Sequence, residues 1–454
     1  MKKQFKRVLA VLLTVMLLFS AIPTSAVAFA DTPGGNSYYV STTGDDTTGT
    51  GASDAPFATI AAGVAKLAAG DTLIIKEGTY SEILDVASKV GTPTAPITIK
   101  GEGVVTVKGV ASKAFPTVCS IAQSAYLTVT GINFVKTGAK IDNYILILNN
   151  SSNITVSHCT LNSEAGAEGT FRFLSSTDCT LDSTYATGAD RITYQWGGTL
   201  SDCTFTNNIF ATYYGFYMDN SAQLEGCKLY NNIFHNQERC FTDNSLTECV
   251  LANNVFYCSA KMDTATNTIV NNAYVSGTKV APTDFAVSDP KFTDASNGDY
   301  SLQAGSLLIG AGSSKYMPER DFTGKLRRAP ADVGPYAYNT VYYVDGSAAT
   351  TGNGAEATPF QTIAEGIAAV NPGDLLIIKA GTYAEPMSIA DKGSDDKLPI
   401  TIRGEGQVTV TGTDYIHGQH GAPRRQRHRV HQQCFFRLRP DCNCSFPEHR
   451  NQAL

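Results

Sequence analysis

From about residue 150 to residue 275 apolar and polar positions alternate in runs of three or four residues, and the runs return at intervals of roughly 20 to 24 residues. The interval is clearest with the cysteines aligned: Cys159-Thr160-Leu161, Cys179-Thr180-Leu181, Cys203-Thr204-Phe205, Cys227-Lys228-Leu229 and Cys249-Val250-Leu251. After the last three come Asn207-Asn208-Ile209-Phe210, Asn231-Asn232-Ile233-Phe234 and Asn253-Asn254-Val255-Phe256, and a fainter Asn271-Asn272-Ala273-Tyr274 follows. Strands this short bury too little surface to stand alone, so their even spacing means that each coil rests on its neighbours. The pattern predicts a parallel β-helix in which equivalent residues form columns along the stack.

Stacking at ~4.8 Å per coil places the five cysteines on one inward column, where a small, weakly polar side chain packs well. The expectation is a ladder of buried free thiols. Cys240 and Cys258 fall off this column and are left as exposed or paired. The asparagine pairs are expected to be turn ladders, each amide bonding to a neighbouring coil and satisfying backbone groups that a bend leaves open.

A coarser repeat overlies the fine one: Tyr38 to Gly109 returns as Tyr342 to Gly412, at an offset of about 303. Pro56-Phe57, Gly70-Asp71, Gly78-Thr79-Tyr80 and Pro96-Ile97-Thr98-Ile99 answer to Pro359-Phe360, Gly373-Asp374, Gly381-Thr382-Tyr383 and Pro399-Ile400-Thr401-Ile402. Within the first copy Thr59 to Leu67 has helical spacing, and Gly70-Asp71 turns the chain into a strand from Leu73 to Lys76. Such a helix would cover the open end of the stack, where the first coil presents bare core and unpaired edge groups. The domain plan is therefore a complete β-helix over 37–340 and the cap and first coils of a second over 341–414.

These repeated strings resemble the amino-terminal part of secreted right-handed parallel β-helix proteins, including polysaccharide lyases of the pectate lyase and chondroitinase B or alginate lyase kind. Asp289-Pro290, Gly298-Asp299-Tyr300, Asp321, Gly324 and Asp332-Val333-Gly334-Pro335-Tyr336 resemble the closing region of bacterial surface β-helix proteins. The resemblance implies an all-β, right-handed parallel β-helix with an N-terminal capping helix, followed by the truncated start of a second. For activity it implies β-elimination on a uronate-containing polysaccharide, with a Lys or Arg base and calcium or cationic side chains neutralising the carboxylate. Fold does not decide activity, so a noncatalytic extracellular carbohydrate-binding or adhesive surface protein is the alternative.

The two ends differ from the body. Residues 1–30 read as a signal peptide: Lys2, Lys3, Lys6 and Arg7, an apolar run from Val8 to Phe19, and the small-x-small Ala28-Phe29-Ala30. This predicts secretion, to the medium or the cell surface, with no membrane span. From 415 to 454 the usage changes abruptly to arginine, histidine and cysteine, including Cys442 and Cys444. An out-of-frame translation is the expectation there, with a divergent natural tail and a metal or polyanion site as alternatives. Setting both ends aside turns the formal charge of −6 into about −15 for the body. That balance disfavours nucleic acid and anionic membrane as partners. The expected partner is an extracellular polysaccharide, and the expected state a monomer.

Aligning the coils gives one candidate column of Gln195, Asp219, Asp243 and Asp263, reached by the expected strands 192–194, 216–218, 240–242 and 260–262. Outward positions beside it are expected to be Arg172, Thr193, Tyr217, Phe241 and Lys261, with Arg239 nearby. In the lyase reading Lys261 is the base and Arg239 the neutralising cation, Arg172, Tyr217 and Phe241 bind the sugar, and Asp219, Asp243 and Asp263 hold Ca2+. The alternative is that the Asp-Asn pairs only end strands. His158 and His235 are expected to be structural.

Overall fold

Short strands need frequent bends, and the chain supplies them with residues that tolerate left-handed backbone. In one coil Arg191–Trp196, Thr199–Ser201, Thr204–Thr206 and Ile209–Ala211 are strands, separated by Gly197 and Gly198 (φ 67° and 77°), Asp202 (55°) and Asn207 (54°). Each strand pairs in parallel with its equivalents. Thr204–Thr206 lies between Thr180–Asp182 and Lys228–Tyr230, Ile209–Ala211 between Tyr185–Thr187 and Ile233–His235, and Arg191–Trp196 between Gly169–Leu174 and Tyr214–Asp219. The result is an all-β parallel β-helix. The computed structural model describes residues 35–110, 117–138, 143–219, 222–235, 238–243, 245–258, 262–325, 327, 329–338, 340–370, 374–385, 387, 400–411 and the backbone of 436–438. Residues 1–30, where a signal peptide is expected, and most of the anomalous tail lie outside them.

The chain divides into two units, Met1–Lys325 with Pro330–Ala337, and Leu326–Ala329 with Tyr338–Leu454. In the first, helix α1 (Ile60–Lys66) turns Ile60, Gly63 and Val64 inward. A Cβ on Gly63 would lie 2.5 Å from Leu73 Cδ1 and 2.8 Å from Val40 Cγ2, so only glycine lets the helix sit this close. Its first amides are bound from a distance. Glu82 accepts Ile60 N–H at 3.0 Å and Ala61 N–H at 3.3 Å, which satisfies donors a helix start leaves open. The second unit repeats this design with α2 (Ile363–Ala369), where Glu385 binds the amides of Ile363 and Ala364. Val341–Val344, Leu375–Tyr383 and Thr401–Val410 pair in parallel beside it, in the register of the first copy.

Inward columns carry the core. Phe171, Phe205, Phe216, Phe234, Phe241 and Phe256 are all but fully buried, and neighbouring rings pack at 4.8–6.3 Å. The thiol column has four members, not five. Thr180 pairs with Thr204, Thr204 with Lys228 and Lys228 with Val250, which aligns Cys179, Cys203, Cys227 and Cys249. Cys159 instead precedes a strand whose Thr160 pairs with Tyr185, so it heads the asparagine column. The shared Cys-Thr-Leu string hid this, because two walls use the same inward pattern. All five are buried free thiols, as is Cys119. Cys240 and Cys258 are paired in a disulfide.

The two asparagines of each pair do different work. Asn208, Asn232, Asn254 and Asn272 are fully buried and form a continuous ladder, each amide oxygen from Asn232 onward receiving the preceding asparagine's backbone N–H and side-chain amide at 2.9–3.0 Å. Asp284 ends it by accepting both from Asn272. The first asparagine of each pair is left-handed and binds the closing segment: Asn207 donates to Arg320 O, Asn231 to Asp332 O and Gly334 O, Asn253 to Ser313 O and Asn271 to Ala311 O, at 2.8–3.0 Å. That segment covers the outward apolar row Tyr185, Ile209, Ile233, Val255 and Ala273 with Val287, Tyr300, Leu308, Phe322 and Val333. A second core thus lies outside the coil.

Candidate functional site

The sheet of Leu84–Ala87, Cys119–Ala122, Tyr144–Asn149, Gly169–Leu174, Arg191–Trp196 and Tyr214–Asp219 leaves one face free of the closing segment's apolar cluster. Its inward side is Phe171, Phe173, Phe216 and Met218, all buried. Strand alternation therefore sends Arg172, Tyr194 and Tyr217 outward. Trp196 is in register with Asp219 and Tyr194 with Tyr217, which gives a second outward row one step along the strands.

Charge and aromatic rings are interleaved on this face. The Arg191 guanidinium lies 4.9 Å from the Tyr217 ring centroid, 5.2 Å from Tyr194 and 5.5 Å from Tyr214. It also forms an ion pair with Glu168. Arg172 sits 5.6 Å from the Tyr144 ring, and Tyr144 donates its hydroxyl to Tyr194 O at 3.0 Å. Glycine at 169 makes this packing possible, since a Cβ there would come within 2.8 Å of the Tyr144 ring. Burial pushes the Tyr144 phenol up to about 12. Tyr194 and Tyr217 pack at 5.6 Å, Tyr213 and Tyr214 edge to face at 4.6 Å, and Tyr194 Oη reaches Asp219 Oδ2 at 3.5 Å. Trp196, the single tryptophan of the chain, is 59% exposed, and Tyr213 is 58% exposed.

Arg172 and Tyr217 stand on the outward face expected for them, with Arg239 exposed at its edge. Phe241 and Thr193 do not. Phe241 bridges Phe216 and is 1% exposed in the core, while Thr193 is fully buried. The expected alignment is one residue out of register, and a shift of one carries a side chain to the opposite face. For the same reason Gln195 is inward and buried, and Asp219 is level with Trp196 instead. Asp263 accepts the Ala265 amide in a turn. Among the described residues no group of three or more His, Cys, Asp or Glu side chains is placed to hold a metal ion. Lys261 lies outside the described residues. The residues missed were Arg191, Tyr194, Trp196 and Tyr213. The lone tryptophan on a polar strand was the available signal.

His158 stands at a bend with φ 50° and donates its backbone N–H to Asp182 O at 3.1 Å, and His235 Nδ1 and Tyr300 Oη are 2.6 Å apart between the wall and the closing segment. Burial holds this imidazole down at about 4, well below the ordinary histidine value.

No family model and no curated protein matches the chain. Among solved structures it is similar to the pectate lyase Pel9A, at 16% identity and a TM-score of 0.40 over 67% of this chain and 96% of that one. A rhamnogalacturonan lyase follows at 14% and 0.35, over 65% and 96%. The alginate lyase from Paenibacillus sp. str. FPU-7 stands at 11% and 0.32, over 55% and 97%. At these scores the likeness carries no argument. The fold class, a parallel β-helix, rests on the strand register of this chain.

Proposed function

We propose that this is a secreted, polysaccharide-acting β-helix protein that binds its glycan on the outward face of Gly169–Leu174, Arg191–Trp196 and Tyr214–Asp219. The carrying observation is the exposure of Trp196 beside Tyr194 and Tyr217. A large apolar ring held in water by a rigid sheet costs free energy unless something covers it, and the apolar face of a pyranose ring suits it. The rigid scaffold also removes much of the ordering cost of binding. Tyrosine hydroxyls, Arg172 and Asp219 supply the hydrogen-bonding groups that a sugar's edges need.

Binding is the function the geometry supports best. A β-eliminating activity would need a base, and Lys261 with Arg239 remains the proposal for it. Incubating the protein with polygalacturonate, alginate and chondroitin sulfate, with and without calcium, tests this through the ultraviolet absorbance of the unsaturated product. The binding reading is tested by affinity electrophoresis across a polysaccharide panel. Wild-type protein should be retarded by at least one glycan and Trp196→Ala should be retarded much less. Equal retardation of the two would refute the assignment of the face.

A further inference from the structure

Besides Tyr144, which is buried, the five aromatic rings of this face fall into two kinds. Tyr194, Tyr214 and Tyr217 surround Arg191, so ring faces and cation are already engaged with one another, and the cation is matched by Glu168. Trp196 and Tyr213 are the exposed ones. Tyr213 precedes Tyr214, which is level with Arg191, and Trp196 lies five residues beyond Arg191 on its strand. Six residues therefore separate their levels, so at ~3.3 Å per residue the two exposed rings stand roughly 20 Å apart along the strands and about one coil apart across them, a span of about four pyranose rings.

The charges around them come close to cancelling. Among the described residues three cations, Arg172, Arg191 and Arg239, are set against four carboxylates, Glu168, Asp219, Glu238 and Asp243. A polyanionic chain would need surplus cations or a bridging metal to hold its carboxylates there. The described residues offer no surplus and no three-ligand metal group, and the body of the protein carries about −15. An uncharged chain meets none of this repulsion.

We infer that the ligand is an uncharged polysaccharide lying along the strands, perpendicular to the solenoid axis, with one ring stacked on Trp196 and another on Tyr213. This rests on the polysaccharide-binding reading above and specifies the class of sugar and its direction. Trp196 and Tyr213 then set the length of the shortest ligand that binds fully.

The test is calorimetric titration of the full chain with xylo-, cello-, manno- and chito-oligosaccharides from dimer to hexamer, and with oligogalacturonates, at low and high salt. At least one neutral series should bind, with affinity climbing to about the tetramer and then levelling, and with little response to salt. Trp196→Ala and Tyr213→Ala, each checked for native circular dichroism, should each weaken the hexamer about tenfold and flatten the length dependence. Oligogalacturonates that bind more tightly than every neutral series, and weaken as salt is raised, would overturn the inference while leaving the polysaccharide reading intact. Failure of every glycan, charged or not, would overturn both. Neutral binding unchanged in the two variants would overturn the placement on these rings.

Discussion

Replacing Asn232 by alanine should unfold the β-helix at markedly lower denaturant, and the loss can be worked out bond by bond. Asn232 is fully buried. Its Nδ2 donates to Phe205 O at 2.8 Å and to Asn254 Oδ1 at 3.0 Å, and its Oδ1 accepts Asn208 N–H at 2.9 Å and Asn208 Nδ2 at 3.0 Å. Alanine strips the Asn208 backbone N–H of this partner in a place water does not reach. It also removes one donor from Phe205 O and one acceptor from the Asn208 amide. A buried polar group left unsatisfied costs about 1–3 kcal/mol, and one to two such groups follow here, so the expected loss is about 4 kcal/mol. Asn232→Asp should be at least as damaging at neutral pH, because it keeps the acceptor but turns a charge toward Phe205 O and Asn254 Oδ1. The measurement is urea unfolding followed by far-ultraviolet circular dichroism, with amide exchange at Asn208 as a local readout. A shift under about 0.5 kcal/mol, with Asn208 still protected, would refute the account of the ladder as a set of obligatory bonds.

Acid should loosen the closing segment. Burial lowers His235 to about 4 from the ordinary histidine value of about 6.5, so its neutral form is favoured in the native state. Stability from this group is whole above pH 6.5 and falls as pH drops toward 4, by up to about 3 kcal/mol at 1.36 kcal/mol per unit. Thermal melts between pH 7 and 4 on wild type and His235→Phe should converge at low pH, and parallel curves would contradict the assignment. Gly63→Val should destabilise the capped end, because its Cβ alone would overlap Leu73 and Val40. Overpacking of this kind costs about 1–3 kcal/mol, readable as a lower denaturation midpoint. Glu168→Gln should disturb the face without unfolding it. It leaves the half-buried Arg191 without its ion pair, so glycan affinity should change while the melting temperature moves by only a few degrees.

Much of the fold was legible because a stacked coil repeats its physical demands. Each bend needs a residue that accepts positive φ, and each inward position needs an apolar or small side chain, so the interval shows in the residues themselves. The caps were legible for a similar reason, being written twice with the same spacing. The closing segment's role was less visible: nothing local in Asn231-Asn232 says that the first side chain binds Asp332 O and Gly334 O, about a hundred residues away, while the second joins the ladder.

The candidate face shows the limit most plainly. Sequence spacing identified the right strands and two of the outward residues, Arg172 and Tyr217, but placed Phe241 with them. A parallel strand reads the same whether its partner is level or one residue displaced, and the displacement exchanges inside for outside. By itself the sequence determined the solenoid, its period, its capping helix and its duplication, because these follow from local patterning repeated many times. Only the tertiary structure decided which thiols share a column, which asparagine binds the closing segment, and that Arg191, Tyr194, Tyr217 and Trp196 meet on one surface. Those outcomes depend on register between coils, and register is a property of the whole stack.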